Sequence, residues 1–210
     1  MLVKICGITT QETADIAVQA GADFIGFVFA PSKRQITPAK AAELAATLPS
    51  TVKKVGVFVN EPSQKVRSIA KQVGLDFIQL HGDETPEYAE SLGTPVIKAF
   101  SMKPENFTAM ETFPCDYYLL DSPKGANRGG NGTTFDWDLL KEVNLDPDKI
   151  ILAGGLQPEN VQDAIASARP SGVDVSSGVE TDGHKDVNKI KQFIINAKRK
   201  DEQIDNIHNA

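Results

Sequence analysis

Short apolar runs rich in β-branched residues alternate along the chain with longer stretches whose apolar positions recur every three or four residues. The first pattern predicts strands and the second amphipathic helices. Strands are predicted at LVKIC (2–6), FIGFVF (24–29), KKVGVFV (53–59), FIQL (77–80), PVIKAF (95–100), YYLLD (117–121), KIILAG (149–154) and VDVSS (173–177). Helical spacing covers 10–20, 38–48, 62–73, 86–92, 136–143, 158–168 and 187–198, with a weaker segment near 104–110. Several of these segments open on a proline, at Pro38, Pro62, Pro86, Pro104 and Pro158. Proline is at no disadvantage there, because first-turn N–H groups have no intrahelical acceptor.

Eight such alternations in 210 residues, with no break in composition, predict one parallel sheet with helices outside it. The expected organisation is a single domain over 1–198 followed by a polar tail at 199–210. A repeat of roughly 26 residues taken eight times is close to the minimum size of a (β/α)8 TIM barrel, about 200 residues. An open doubly wound sheet is the competing architecture. An internal echo accompanies the alternation. GADFIGF, GLDFIQL, CDYYLLD and GVDVSSG each place an Asp near the start of an even-numbered strand, and the odd-numbered strands carry a Lys beside β-branched residues.

Composition narrows the function classes. The formal net charge is −6, which disfavours nucleic acid, since phosphate neutralisation needs clustered Lys and Arg. A local cationic pocket for a small anion remains compatible with it. Only Cys6 and Cys115 occur, outside any CxxC pair, so zinc and thioredoxin-type chemistry are not indicated. No basic-then-apolar leader precedes the first strand, so a reducing cytoplasm is expected. No apolar run reaches bilayer length. Monomer and homodimer are both compatible with the sequence.

A barrel carries its chemistry at the carboxyl ends of its strands. Those ends read Cys6-Gly7, Ser32-Lys33-Arg34, Asn60, His81-Gly82, Ser101, Asp121, Gly154-Gly155 and Ser176-Ser177-Gly178. Strand alternation puts Cys6 on the same face as Lys4. A cation beside the sulfur favours the thiolate, the form able to accept a proton. The plain alternative is a small buried hydrophobe. Asp121 ends an apolar strand, where desolvation would raise its pKa and suit it to donate a proton; otherwise it opens a turn with Ser122-Pro123. Cys115, at the opposite end of that strand, reads as structural.

LAGGLQPEN (152–160) and VDVSSGVE (173–180) are glycine-bearing turns after strands seven and eight, where barrels often hold phosphate on backbone N–H groups. SPKGANRGGNGTTFDW (122–137) matches neither common nucleotide loop, and is either a flexible lid or a plain surface loop. Arg34 can clamp a carboxylate through its planar fork or stand as a solvated loop charge. His81 is either a substrate contact or a satisfied turn histidine. His184 and His208 form no metal cluster with it in the sequence.

In VKICGIT, GFVFAPSKRQIT, VGVFVNEP, IQLHGDE, LLDS with GGNGTTFDW, LAGGLQPENV and VDVSSGVE, the chain resembles the phosphoribosylanthranilate isomerase family of the tryptophan pathway over about 1–198. The resemblance implies an Amadori rearrangement of N-(5-phosphoribosyl)anthranilate to 1-(2-carboxyphenylamino)-1-deoxyribulose 5-phosphate, without metal or cofactor. It implies Asp121 as the acid that protonates the furanose oxygen and Cys6 as the base that removes the C2 proton. It implies Arg34 facing the anthranilate carboxylate, His81 as a substrate contact and Asp174 binding a sugar hydroxyl. The phosphate falls to Gly154, Gly155, Ser177 and Gly178. Gly7 is expected to clear room beside the sulfur for substrate. One departure is local: ETDGHKD (180–186) stands where family members often have Pro-Gly ahead of Lys-Asp. The alternatives are another phosphosugar isomerase or epimerase, or a catalytically silent ligand-binding barrel.

Overall fold

The computed structural model describes residues 1–121 and 143–199. Eight parallel strands pair in chain order and close on themselves. They are β1 (Leu2–Cys6), β2 (Phe24–Val28), β3 (Lys53–Phe58), β4 (Phe77–Leu80), β5 (Val96–Ser101), β6 (Tyr117–Asp121), β7 (Ile150–Leu152) and β8 (Gly172–Val175). The seam joins β8 to β1 through Leu2↔Gly172, Val3↔Val173, Lys4↔Asp174 and Ile5↔Val175. The (β/α)8 barrel is therefore the architecture, and the open sheet is excluded. Around it lie α1 (Gln11–Ala20), α2 (Pro38–Thr47), α3 (Ser63–Val73), α4 (Pro86–Glu90), α5 (Phe107–Thr112), α6 (Val161–Ala168) and α7 (Val187–Lys198).

Four predicted strands overrun the ladder at their carboxyl ends: Phe29, Val59, 153–154 and 176–177 lie beyond the last paired residues. There the chain leaves the sheet, and Val59, Ala153, Gly154, Ser176 and Ser177 line the mouth. Pro38 and Pro86 do open helices, each behind a capping threonine, whose hydroxyl accepts from the backbone of Lys40 and Tyr88 respectively. Pro62 instead occupies the cap position of α3, and Pro158 lies in the turn before α6. The weak segment near 104–110 divides into a 3₁₀ turn at Pro104–Asn106 and α5. The helix predicted at 136–143 and the tail at 199–210 fall outside the described residues, apart from Val143 and Arg199.

The repeated aspartates have a physical role. Asp23, Asp76 and Asp116 each accept, through Oδ2, the N–H of a residue at the start of the preceding odd strand: Val3, Lys54 and Val96, all at 2.8 Å. These donors would otherwise lie at the bare edge of the ladder. The echo breaks at β8. Ser171 takes the corresponding place, donating to the Ile150 carbonyl at 2.9 Å. Asp174 sits one turn of the pleat higher, opposite Lys4, and faces inward.

Inside the barrel the side chains are graded by size. Phe24, Phe77 and Tyr117, at the amino ends of their strands, meet with ring centroids 5.7, 5.8 and 6.0 Å apart. Each such pair adds about 0.5–1.5 kcal/mol beyond area burial, so this end is plugged. Toward the carboxyl ends the inward positions shrink to Gly26, Cys6 and Ala153. A Cβ at Gly26 would sit 3.0 Å from Cys6 Sγ and 3.2 Å from Lys4 Nζ. Small residues thus leave a hollow where the strands end.

Candidate active site

That hollow is a cavity of about 410 Å³. Cys6 reaches it from β1, Arg34 from the loop after β2, Gln79 and His81 from β4, Asp121 from β6 and Asp174 from β8, with Gly154, Gly155, Ser177 and Gly178 along one side and Val28, Val57 and Leu119 as apolar wall. All nine sequence-predicted site residues therefore line one chamber. Its volume suits a drug-sized ligand. The 122–137 loop lies outside the described residues.

Cys6 is 7% exposed and Lys4 is fully buried behind it. The Lys4 ammonium donates to Asp174 Oδ1 at 2.8 Å. Burial opposes its charge, yet the neighbouring Asp174 and Cys6 carry the Lys4 pKa above the ordinary lysine value. Lys4 favours the thiolate as expected, but it does not set the net shift. Burial raises the Cys6 pKa by more than Lys4 lowers it, and Asp174 pushes the same way as burial. Burial therefore outweighs the lysine at the sulfur, and Lys4 and Lys185 are already partnered by carboxylates.

Across the chamber, the half-buried Asp121 and His81 face each other, Oδ2 to Nε2, at 3.7 Å. Behind the imidazole, Gln79 Nε2 lies 3.0 Å from His81 Nδ1. Cys115, at the far end of β6, has its pKa pushed up to about 12 by burial, consistent with a structural thiol.

Arg34 is not a solvated loop charge. Its Nε and Nη2 grip both oxygens of Glu180 at 2.5 and 2.9 Å. Lys185 reaches the same carboxylate at 2.9 Å and donates to the Ser176 carbonyl at 2.7 Å. Burial works against the Glu180 anion, but hydrogen bonds from Arg34 and Lys185 hold its pKa at about 2. Gly7 serves this arm rather than the substrate: a Cβ there would lie 2.6 Å from Arg34 Cδ. The expected space beside the sulfur is filled by the arginine stem.

The two glycine turns touch. A Cβ on Gly178 would collide with the Leu156 carbonyl, so the turn after β8 rests directly on the turn after β7. Gly154 and Gly155 take φ of 81° and 67°, the left-handed region that favours glycine. The departure at 180–186 forms a tight hairpin: β9 (Glu180–Thr181) pairs with β10 (His184–Lys185). Asp182 and Gly183 both have positive φ, 52° and 81°, as an Asp-Gly type I′ turn requires. The hairpin delivers Glu180 and Lys185 to one place, and Asp186 caps α7 behind it.

Gln79, Glu180 and Lys185 were not singled out in the sequence. A glutamine alternating with His81 inside an otherwise apolar strand is the signal that marks Gln79. Glu180 and Lys185 gave no comparable signal before the hairpin joined them to Arg34. Among the described residues, no group of three or more His, Cys, Asp or Glu side chains gathers to hold a metal ion. No described helix is long and apolar enough to cross a membrane.

A thiol, two carboxylates and an imidazole around one chamber, with glycine turns on its rim, define an acid–base barrel enzyme for a small anionic ligand. Residues 3–196 match the family model described as N-(5'phosphoribosyl)anthranilate (PRA) isomerase. The chain is 53% identical over 202 residues to N-(5'-phosphoribosyl)anthranilate isomerase of Oceanobacillus iheyensis, covering 96% of this chain and 98% of that one. It is similar, at 42% identity and a TM-score of 0.80, to a phosphoribosylanthranilate isomerase crystallised with reduced 1-(o-carboxyphenylamino)-1-deoxyribulose 5-phosphate, covering 94% and 98% of the two chains. Monomers generated from the dimeric enzyme of Thermotoga maritima match at 41% identity and a TM-score of 0.80, with the same coverage. The chain belongs to the N-(5'-phosphoribosyl)anthranilate isomerase family.

Proposed function

We infer that this chain converts N-(5-phosphoribosyl)anthranilate into 1-(2-carboxyphenylamino)-1-deoxyribulose 5-phosphate, with Asp121 as acid and Cys6 as base. The observation that carries the reading is the meeting of Cys6 and Asp121 in one chamber whose rim is built from two contacting glycine turns. Backbone N–H groups around Gly154, Gly155, Ser177 and Gly178 take the phosphate. This end places the ribose over the thiol, and Asp174 accepts from a sugar hydroxyl. The apolar wall of Val28, Val57 and Leu119 packs against the aromatic ring, and Arg34 faces its carboxylate. His81 contacts the substrate next to Asp121.

Asp121 gives its proton to the furanose oxygen while the anilino nitrogen pushes its lone pair toward C1. The C1–O bond breaks and an iminium cation forms. That cation acidifies the C2–H, and its positive charge beside Cys6 favours the thiolate, the thiol proton having left to solvent. The thiolate removes the C2 proton, giving an enolamine. Protonation at C1 with loss of the O2 proton then yields the ketone. An acid and a base so placed each contribute about 10²–10⁴-fold.

The protein acts as a monomer or homodimer in the cytoplasm on a small phosphorylated substrate. The test is turnover: purified protein mixed with phosphoribosylanthranilate should abolish its fluorescence. Binding of a reduced product analogue without any turnover would instead identify a silent ligand-binding barrel.

A further inference from the structure

We propose that Gln79 is a positioning residue: it fixes the His81 imidazole as the Nε2–H tautomer and so turns a hydrogen-bond donor toward Asp121. The proposal rests on the reading of Asp121 as the acid.

Gln79 is 1% exposed in the middle of β4, on the inner face that also carries Phe77 and His81. Its Nε2 lies 3.0 Å from His81 Nδ1, and its Oε1 is buried with no hydrogen-bond partner among the described residues. Two physical arguments agree on which way the amide faces. Turning it round would place two N–H donors at the buried position now held by Oε1, each needing an acceptor. Orphaned N–H groups are rarer than under-satisfied carbonyls. The second argument comes from the other side of the ring. If Nδ1 carried the proton, the Nε2 lone pair would point at Asp121 Oδ2, 3.7 Å away. Lone pair and carboxylate would repel as soon as Asp121 gave up its proton. With the amide N–H donating to Nδ1, the proton must sit on Nε2, and donor faces acceptor.

The consequence is specific to the moment of reaction. When Asp121 releases its proton to the ring oxygen, the new carboxylate meets an N–H instead of a lone pair. A gap of 3.7 Å is long for a hydrogen bond, but such contacts in unliganded sites commonly tighten once substrate binds. An interaction that gains strength only as charge develops lowers the barrier without tightening substrate binding. Glutamine suits this position because it is uncharged and donates. Glutamate there would accept from Nδ1–H and reverse the tautomer.

The test uses the full chain with ¹⁵N-labelled histidine. Of its three histidines, His81 is assigned by the signal lost in His81→Asn. Long-range ¹H–¹⁵N spectra of the wild type should show His81 with a protonated Nε2 and a bare Nδ1. In Gln79→Glu the proton should move to Nδ1, with kcat falling at least roughly tenfold and KM changing far less. Gln79→Met, which keeps volume without a donor, should give mixed tautomers and an intermediate kcat. A wild-type ring protonated on Nδ1 overturns the proposal. So does an unchanged tautomer in the Gln79→Met and Gln79→Glu proteins. Failure of the isomerase reading would look different: the tautomer would respond to Gln79 in a protein that never turned over phosphoribosylanthranilate.

Discussion

The Lys4 ammonium and the Asp174 carboxylate meet 2.8 Å apart inside the barrel, directly opposite each other across the β1–β8 seam. Asp174 thereby takes up the cation nearest the thiol and adds a negative charge that pushes the Cys6 pKa further up. Replacing Asp174 with Asn removes that charge and leaves Lys4 to act on the sulfur alone. The thiolate is the active base, so activity rises with pH through the thiol pKa. In Asp174→Asn that rising limb of kcat/KM should move to lower pH, whatever happens to its height. A limb that stays in place or moves upward contradicts the assignment of Cys6 as the base.

Cys6→Ser and Asp121→Asn should each lose about 10²–10⁴-fold in kcat while keeping the circular dichroism of the wild type. Neither side chain is part of the apolar packing that closes the barrel. Loss of fluorescence of phosphoribosylanthranilate is the measurement, and near-full activity in either variant would remove that residue from the mechanism.

Glu180 holds Arg34 by its Nε edge and shares its charge with Lys185. Glu180→Gln should release the guanidinium and raise KM about tenfold, equivalent to ~1.4 kcal/mol, with a smaller effect on kcat. The same variant has a signature in stability. The Glu180 pKa is about 2 in the folded protein against an ordinary 4.5. Its contribution is thus fully present above about 4.5 and is lost as pH falls toward about 2. The stability difference between wild type and Glu180→Gln, followed by urea unfolding, should shrink across that window. A constant difference would show that the pair does not titrate with folding.

Gly178→Ala drives a methyl group into the Leu156 carbonyl. Two backbone turns must separate to admit it, so overpacking of about 1–3 kcal/mol is expected in Tm or urea midpoint. Inorganic phosphate should also lose its capacity to protect the protein from thermal unfolding. A variant still protected by phosphate like the wild type would remove this turn from the phosphate site.

Much of the architecture was legible in strand period and turn residues. Alternation alone set Lys4 with Cys6, and the strand ends named much of the chamber lining. What escaped was set by distance across the fold. Nothing near Arg34 in sequence announces Glu180, which lies 146 positions away. Gly7 therefore looked like room for a ligand when it is room for an arginine. The sign of the Cys6 shift escaped for a related reason. A neighbouring lysine is visible in VKICGIT, but the depth of burial and the carboxylate that partners the lysine are not. The repeated aspartates were visible as a pattern without a purpose, and the eighth strand breaks that pattern because its aspartate serves the chamber.

Those aspartates also join strands in pairs at the amino end of the barrel. Asp23 fastens β1 to β2, Asp76 fastens β3 to β4, and Asp116 fastens β5 to β6. Among the described residues no aspartate side chain bridges the second strand to the third or the fourth to the fifth, although the Asp23 carbonyl accepts from Lys53 N at 2.9 Å. Asp23 is further anchored to Lys198 of α7 at 2.8 Å, tying the first pair to the last helix. The amides of Val3, Lys54 and Val96, each closed by a carboxylate, should therefore exchange slowly with solvent. Built this way, the closed end of the cylinder is pinned in strand pairs, the first of them latched to the last helix, on the side away from the chamber.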